Sequence, residues 1–396
     1  MFAQLKKLII GNGAAQALQF ISIILLSRIY SPSDFGFLAQ VQAVATVSAI
    51  VITLQLHLTI PLNKNESEAR HRVEQVQLIG CAIFGLCIIP AIYIGKLAVF
   101  SAFLAFFLGL TNTYSSFFIF SGNFGGLSIF YIARAILIVG LQIGFSIIGV
   151  QDGLVLGAVI SEGVVALCLK IFFFKRLGRW NFDLAGAWRM ALENRSFSIY
   201  GTLQELISVA AFYAPLIFFS QKYGENIGGQ YAMANRLIWA PTALLSRSLA
   251  QVLYHQFGKN PLASRADFLT ALPSNWIYFF LALCCCGAFY LPSIFLFMLG
   301  AQWELASKLI PLQLTWCCFF LSATPFRVAC RALHLQKYQL AVDFFMLISI
   351  FLLFNFSSFS PLNLMISLVG LALIQNASLC LIVWRMGWRN STPNAL

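Results

Sequence analysis

Eight ionisable residues stand inside long apolar stretches of this 396-residue sequence: Arg134, Glu162, Lys170, Glu205, Arg236, Arg247, Arg327 and Asp343. A charged side chain at the centre of a bilayer costs roughly 2.5–3.5 kcal/mol on an insertion scale, so each needs a chemical reason to be there. Five are basic and three acidic. That balance suits an anionic ligand, because a guanidinium fork matches a pair of phosphate or carboxylate oxygens. The carboxyls of Glu162, Glu205 and Asp343 have a second use. Held in low dielectric, a carboxyl can load and release a proton or take sodium, and so couple a conformational change to an ion gradient. Lys170, Arg327 and Asp343 lie close enough to span ends to snorkel, whereas the other five sit deeper. The plainer alternative is internal pairing, of Arg134 with Glu162 or Glu205 with Arg236, which leaves Arg247 unmatched among the deep residues.

What must position these residues is a set of membrane helices. Hydrophobic residues make up 60% of the chain and charged ones only 10%, with a mean hydropathy of +0.84; soluble domains carry about 25% charged residues. Apolar runs bounded by turn residues or charge predict twelve spans, near 9–29, 35–60, 76–95, 97–120, 127–149, 153–174, 196–220, 229–254, 271–299, 303–330, 339–357 and 362–384. Lys6 and Lys7 precede the first run, but it contains Asn12, Gln16 and Gln19 and no small-x-small cleavage site follows Leu26, so it reads as a span.

Of the 25 Lys and Arg residues, sixteen fall on one side of this arrangement and only Arg28, Lys96, Lys222 and Lys308 on the other. Basic residues mark the cytoplasmic face, so both termini, the 61–75 segment and the 175–195 segment are expected there. The 175–195 connector carries Trp180 and Trp188 among five basic residues, and Asp183 is placed to cap a short amphipathic helix suited to a headgroup surface. The chain thus divides into residues 1–174, the connector 175–195, and residues 196–396. A shift of 193 residues aligns Ser27 with Ser220, Tyr30 with Tyr223, Gly36 with Gly229 and Ala39 with Ala232. Two halves of six spans, each starting on the same side, imply a parallel repeat about the membrane normal.

Other classes of function lack their residues. The net charge of +12 reflects membrane orientation, so no nucleic-acid partner is expected. The ten cysteines lie in or at the ends of apolar runs without CxxC spacing, so neither metal nor disulfide framework is expected. No phosphate-cradling Gly-x-x-x-x-Gly-Lys and no His–carboxylate constellation occurs, so the chain is read as neither an enzyme nor a cofactor binder. In the eighth span, Arg236 and Arg247 are eleven residues apart, close to three helical turns, so they share a face about 16 Å apart with Ala240 and Ala243 between them. Pro215 interrupts the seventh span and is the natural bending point.

The turn Ser27-Arg28-Ile29-Tyr30-Ser31-Pro32-Ser33-Asp34-Phe35-Gly36 resembles the end of the first span in bacterial O-antigen flippases of the polysaccharide transporter family. Tyr223-Gly224, Gly229 to Ala234 with Pro241, and Gly300-Ala301-Gln302-Trp303 with Ile310-Pro311-Leu312 extend the likeness over most of the chain. The resemblance implies an all-α exporter of two six-helix bundles in a V, working by alternating access in the bacterial inner membrane. It implies an undecaprenyl-diphosphate-linked oligosaccharide as substrate, with polymerase and assembly proteins as partners. Arg134, Arg236, Arg247, Lys170 and Arg327 would then meet the diphosphate, and the amides of Asn12 and Gln16 the sugars. Such amides also serve as interhelical glue worth about 0.6 kcal/mol each. A multidrug or small-molecule exporter of the same superfamily is the alternative; a glycan polymerase is disfavoured because every outside connector is short.

Overall fold

The computed structural model describes residues 2–174, 183–259, 287, 290–333 and 335–386. Side chains are described over these ranges except at 2–12, 172–174, 196, eleven positions from 244 to 259, 331, 332, 336 and 386. Among the described residues there is helix and no strand. The first six helices are α1 (Phe2–Ile29), α2 (Pro32–Thr53), α3 (Glu66–Ile94), α4 (Lys96–Phe120), α5 (Phe124–Ile148) and α6 (Gly153–Phe174). After the short α7 (Leu184–Glu193) come α8 (Thr202–Tyr223), α9 (Glu225–Lys259), α10 (Tyr290–Leu299), α11 (Glu304–Ala332), α12 (Gln336–Phe356) and α13 (Pro361–Met386). Nine helices among the described residues are long and apolar enough to cross a membrane. Apart from α7, each helix answers to one predicted span, though most of span 271–299 lies outside the described residues.

Short polar signals start these helices. Ser31 Oγ accepts from the Asp34 backbone N–H at 3.3 Å, and Asp34 Oδ2 accepts from the Ser31 N–H at 2.9 Å, with Pro32 at the first helical position. That reciprocal capping box satisfies two otherwise orphan donors at the head of α2. Asn123 Oδ1 accepts from the Gly126 N–H at 3.0 Å at the head of α5. Asp183 Oδ1 does the same for Gly186 at 2.8 Å and starts α7, as the connector's pattern predicted.

Two segments depart from the sequence reading. The second span is not helical to residue 60: α2 stops at Thr53, Leu54 and Gln55 turn left-handed (φ 45° and 54°), and Leu56–Leu62 forms a 3-10 turn. Burial of His57 in this turn pushes its imidazole down to about 4, so it is neutral. Helix α3 starts ten residues before its apolar run. Glu66 and Glu68 suit a helix N-terminus, Arg70 pairs with Glu66 one turn on, and Ala69, Val73 and Val76 bury an inward stripe. The other unforeseen element is a π-helical turn, Ser196–Gly201, that leads into α8.

The chain forms two compact units, Met1–Val209 and Ala210–Leu396. In the first, α1 packs on α5, α2 on α4, α4 on α6 and α5 on α6. In the second, α9 packs on α11, α11 on α13 and α12 on α13, while on Phe354 of α12 the α8 ring of Phe218 stacks and that of Phe219 stands edge-on. The second unit therefore repeats four pairings of the first, α8–α12 for α1–α5, α9–α11 for α2–α4, α11–α13 for α4–α6 and α12–α13 for α5–α6, which supports the repeat more than the sparse identities do. The ends of the units are fastened by charge. Lys96 Nζ lies 3.1 Å from Asp152 and over the Phe37 ring. Lys222 donates to the Phe354 and Ser357 carbonyls, where the negative end of α12 favours a cation.

Outer faces carry large apolar side chains: Tyr93, Ile147, Phe297 and Phe356 are each more than four-fifths exposed. In water such exposure would be an aggregation hazard, whereas lipid covers it without cost. Helix α7 is two-sided. Ala187, Met190 and Ala191 pack on Leu56, Val76 and Ile79, while Leu184, Trp188 and Leu192, four residues apart, form an exposed stripe.

Candidate functional site

Arg134 and Glu162 come together across the α5–α6 hairpin. Arg134 donates Nε to Glu162 Oε1 at 2.5 Å, and its terminal nitrogen bonds the same oxygen. Glu162 is buried, while the Arg134 side chain remains 28% exposed. The second oxygen, Oε2, is buried without a hydrogen-bond partner. Arg134 with Glu162 is the internal pairing that the sequence offered as the plainer alternative for these two residues. Lys170, two turns further along α6, is partly buried and within electrostatic reach of Cys81. Gln16 is partly buried on α1, and the Asn12 side chain lies outside the described residues.

In the second unit, Gln375 and Asn376, neighbours on α13, hold two charges. Gln375 Nε2 donates to Asp343 Oδ1 at 2.9 Å, and Arg327 donates to Asn376 Oδ1 at 3.2 Å while its guanidinium covers the Phe320 ring at 4.9 Å. Asp343 is buried among these helices. A carboxylate and a guanidinium tied through adjacent amides form a network that rigidifies a core when satisfied. Asp343 thus meets neighbours before it meets water.

Arg236 takes a different setting. It is partly buried on α9, within electrostatic reach of Tyr213 on α8. One turn on, Trp239 Nε1 donates to Gln313 Oε1 at 3.2 Å. Sequence reasoning singled out neither Trp239 nor Gln313, although a tryptophan three residues after an in-span arginine was a readable signal. The Arg247 side chain lies outside the described residues. Glu205 is exposed on the first turn of α8, and Pro215 is buried within that helix.

The motifs that carried the family resemblance have architectural work. Tyr30 donates its hydroxyl to the Gln142 carbonyl at 2.7 Å, tying α1 to α5, and Tyr223 donates to the Phe359 carbonyl at 2.5 Å. Gly224 (φ 89°) makes the turn into α9, a conformation glycine adopts freely. Gln230 donates to the Gln302 carbonyl at 2.6 Å and accepts from the Ala306 N–H at 2.8 Å, which fixes the turn holding fully buried Trp303. These residues build the frame, and the in-span charges stand within it.

Nine described helices long and apolar enough to cross a membrane, with ionisable groups inside them, define a multi-pass membrane protein. The chain belongs to the family described as polysaccharide biosynthesis protein, which matches residues 6–260. Among solved structures, the lipid II flippase MurJ in an inward closed conformation aligns with a TM-score of 0.78 at 13% identity, covering 95% of this chain and 87% of that one. An outward-facing MATE-family multidrug resistance transporter aligns at 0.57 with 14% identity, covering 96% and 94%. A transporter of the same superfamily from Pyrococcus furiosus also aligns at 0.57 with 14% identity, covering 96% and 93%. At such identities the likeness establishes the fold. No curated protein sequence matches the chain.

Proposed function

We propose that this protein moves an undecaprenyl-diphosphate-linked oligosaccharide from the cytoplasmic to the periplasmic leaflet of a bacterial inner membrane, for O-antigen or related surface polysaccharide. The observation that carries this reading is the partly buried guanidinium of Arg236 within a span of a polysaccharide-biosynthesis family member. An in-span cation is worth its insertion cost when the cargo is a diphosphate. Alternating access between two bundles, residues 1–174 and 196–396 joined by 175–195, delivers the headgroup from one leaflet to the other, with α8 bending at Pro215. Glu205 and Asp343 are the candidates for ion coupling, and Arg327 and Lys170 are further contacts near the span ends. The MATE likeness supports a second reading, export of a small molecule. Deleting the gene separates the two. The flippase reading expects lipid-linked repeat units to accumulate facing the cytoplasm while surface glycan falls; normal lipid extracts with drug sensitivity alone favour the exporter.

Orientation has its own test. Reporters active only in the periplasm, fused after Lys64 and after Arg189, should be silent, and the same reporter after Lys222 should be active. The expectation rests on the sixteen-to-four division of basic residues. Activity at either of the first two positions would overturn the topology and the direction of movement with it.

A further inference from the structure

Helix α8 buries Pro215, Leu216 and Phe219 on one side. Phe212 precedes Phe219 by seven residues, nearly two turns, and so projects from that same side. Yet Phe212 is 40% exposed. The stripe that packs inward in the second half of the helix is therefore left partly uncovered toward its start, at Phe212.

Trp239 of α9 meets Phe212 there at a right angle, with ring centroids 5.2 Å apart and planes at 89°. The indole is fixed from behind. Its N–H is spent on Gln313, and Trp316 and Phe320 of α11 stand against it at 6.1 and 5.1 Å. Arg236 lies three residues before Trp239, a rise of about 4.5 Å along the helix.

Resting on the function proposed above, we infer that the Phe212–Trp239 corner is a sugar-stacking subsite for the first sugar of the lipid-linked glycan. A pyranose presents an apolar C–H face and a polar rim, and the electron-rich face of an aromatic ring attracts C–H hydrogens while leaving the hydroxyls free. A rigid corner loses little freedom on binding, so the contact is not spent on ordering the rings. The first sugar is bonded directly to the diphosphate, so its subsite must adjoin the phosphate contact. The one-turn offset between Arg236 and Trp239 meets that requirement.

The test uses the full-length protein in lipid nanodiscs with two probes: undecaprenyl diphosphate, and the same lipid carrying one N-acetylhexosamine. The wild type is expected to bind the sugar-bearing probe about ten-fold more tightly than the bare one. Trp239→Ala and Phe212→Leu, the second of which keeps an apolar side chain in α8, should each reduce that preference to near unity. Trp239→Phe should keep part of it, and Arg236→Ala should weaken binding of both probes. A full preference in Trp239→Ala, or equal loss of both probes in Phe212→Leu, overturns the subsite while leaving the transport reading intact. Absence of binding of either probe to the wild type overturns the transport reading, and the subsite falls with it.

Discussion

On the transport function proposed above, Arg236→Ala should lower surface glycan at least ten-fold without reducing the amount of protein in the membrane. The guanidinium sits inside a span, partly buried and within electrostatic reach of Tyr213, and a two-pronged donor there would match a diphosphate. Arg236→Lys retains part of the activity, because an ammonium supplies the charge but not the planar fork. Arg247→Ala has the same effect if the headgroup passes along α9, since the two positions share a face about 16 Å apart. Surface glycan is measured against the membrane-fraction protein level in the same cells. Wild-type glycan in Arg247→Ala would refute a path with two stations, and a fall in abundance with Arg236→Ala would make that residue a structural one.

The second large effect concerns Arg134 and Glu162. Arg134→Met should lower stability by about 3–5 kcal/mol, because it leaves a buried carboxylate with no counter-charge. Glu162→Gln should cost less, since the Arg134 side chain is 28% exposed and can turn toward water. The double change Arg134→Met/Glu162→Leu should recover most of the loss, as replacing both members of a buried pair by apolar groups is close to neutral. Thermal unfolding of the purified variants measures the cycle. Transport assays then divide the two roles these residues can have. Near wild-type transport in the stable double variant identifies a structural strut, whereas a stable but inactive double variant returns Arg134 and Glu162 to substrate binding and ion coupling.

The frame was legible because its signals are local. Apolar runs give spans, the Ser31–Asp34 box and Asp183 give helix starts, and the glycine turns give ends. The motifs behind the family resemblance belong to the frame as well, but through contacts distant in sequence: Tyr30, Gln230 and Trp303 anchor helices to one another. The site was legible only as a set of residue types. Whether Arg134 meets Glu162 or a ligand depends on a contact between two helices, and helical periodicity reports a face without naming its neighbour. The amide bridge from Gln375 and Asn376 to Asp343 and Arg327 was invisible for the same reason. So was the Phe212–Trp239 corner, because an aromatic residue in an apolar span reads as packing until a partner at right angles and an open side are both seen. The early start of α3 was missed differently: its first two turns are charged outside and apolar inside, and hydropathy averaged over a window hides that stripe.

The π-helical turn at Ser196–Gly201 has a consequence for how this gene can vary. A π turn holds one residue more than the α-helical turn it replaces, and so resembles a one-residue insertion absorbed at the root of α8. Losing one residue there lets the turn relax to α-helical geometry with everything downstream in place. Losing one from the middle of α8 has no such slack to draw on. It rotates the remainder of the helix by about 100°, carrying Phe219 and Tyr223 off their partners. Codon deletions should therefore be tolerated within Ser196–Gly201 and rejected a few positions later, a boundary of permissiveness set by geometry.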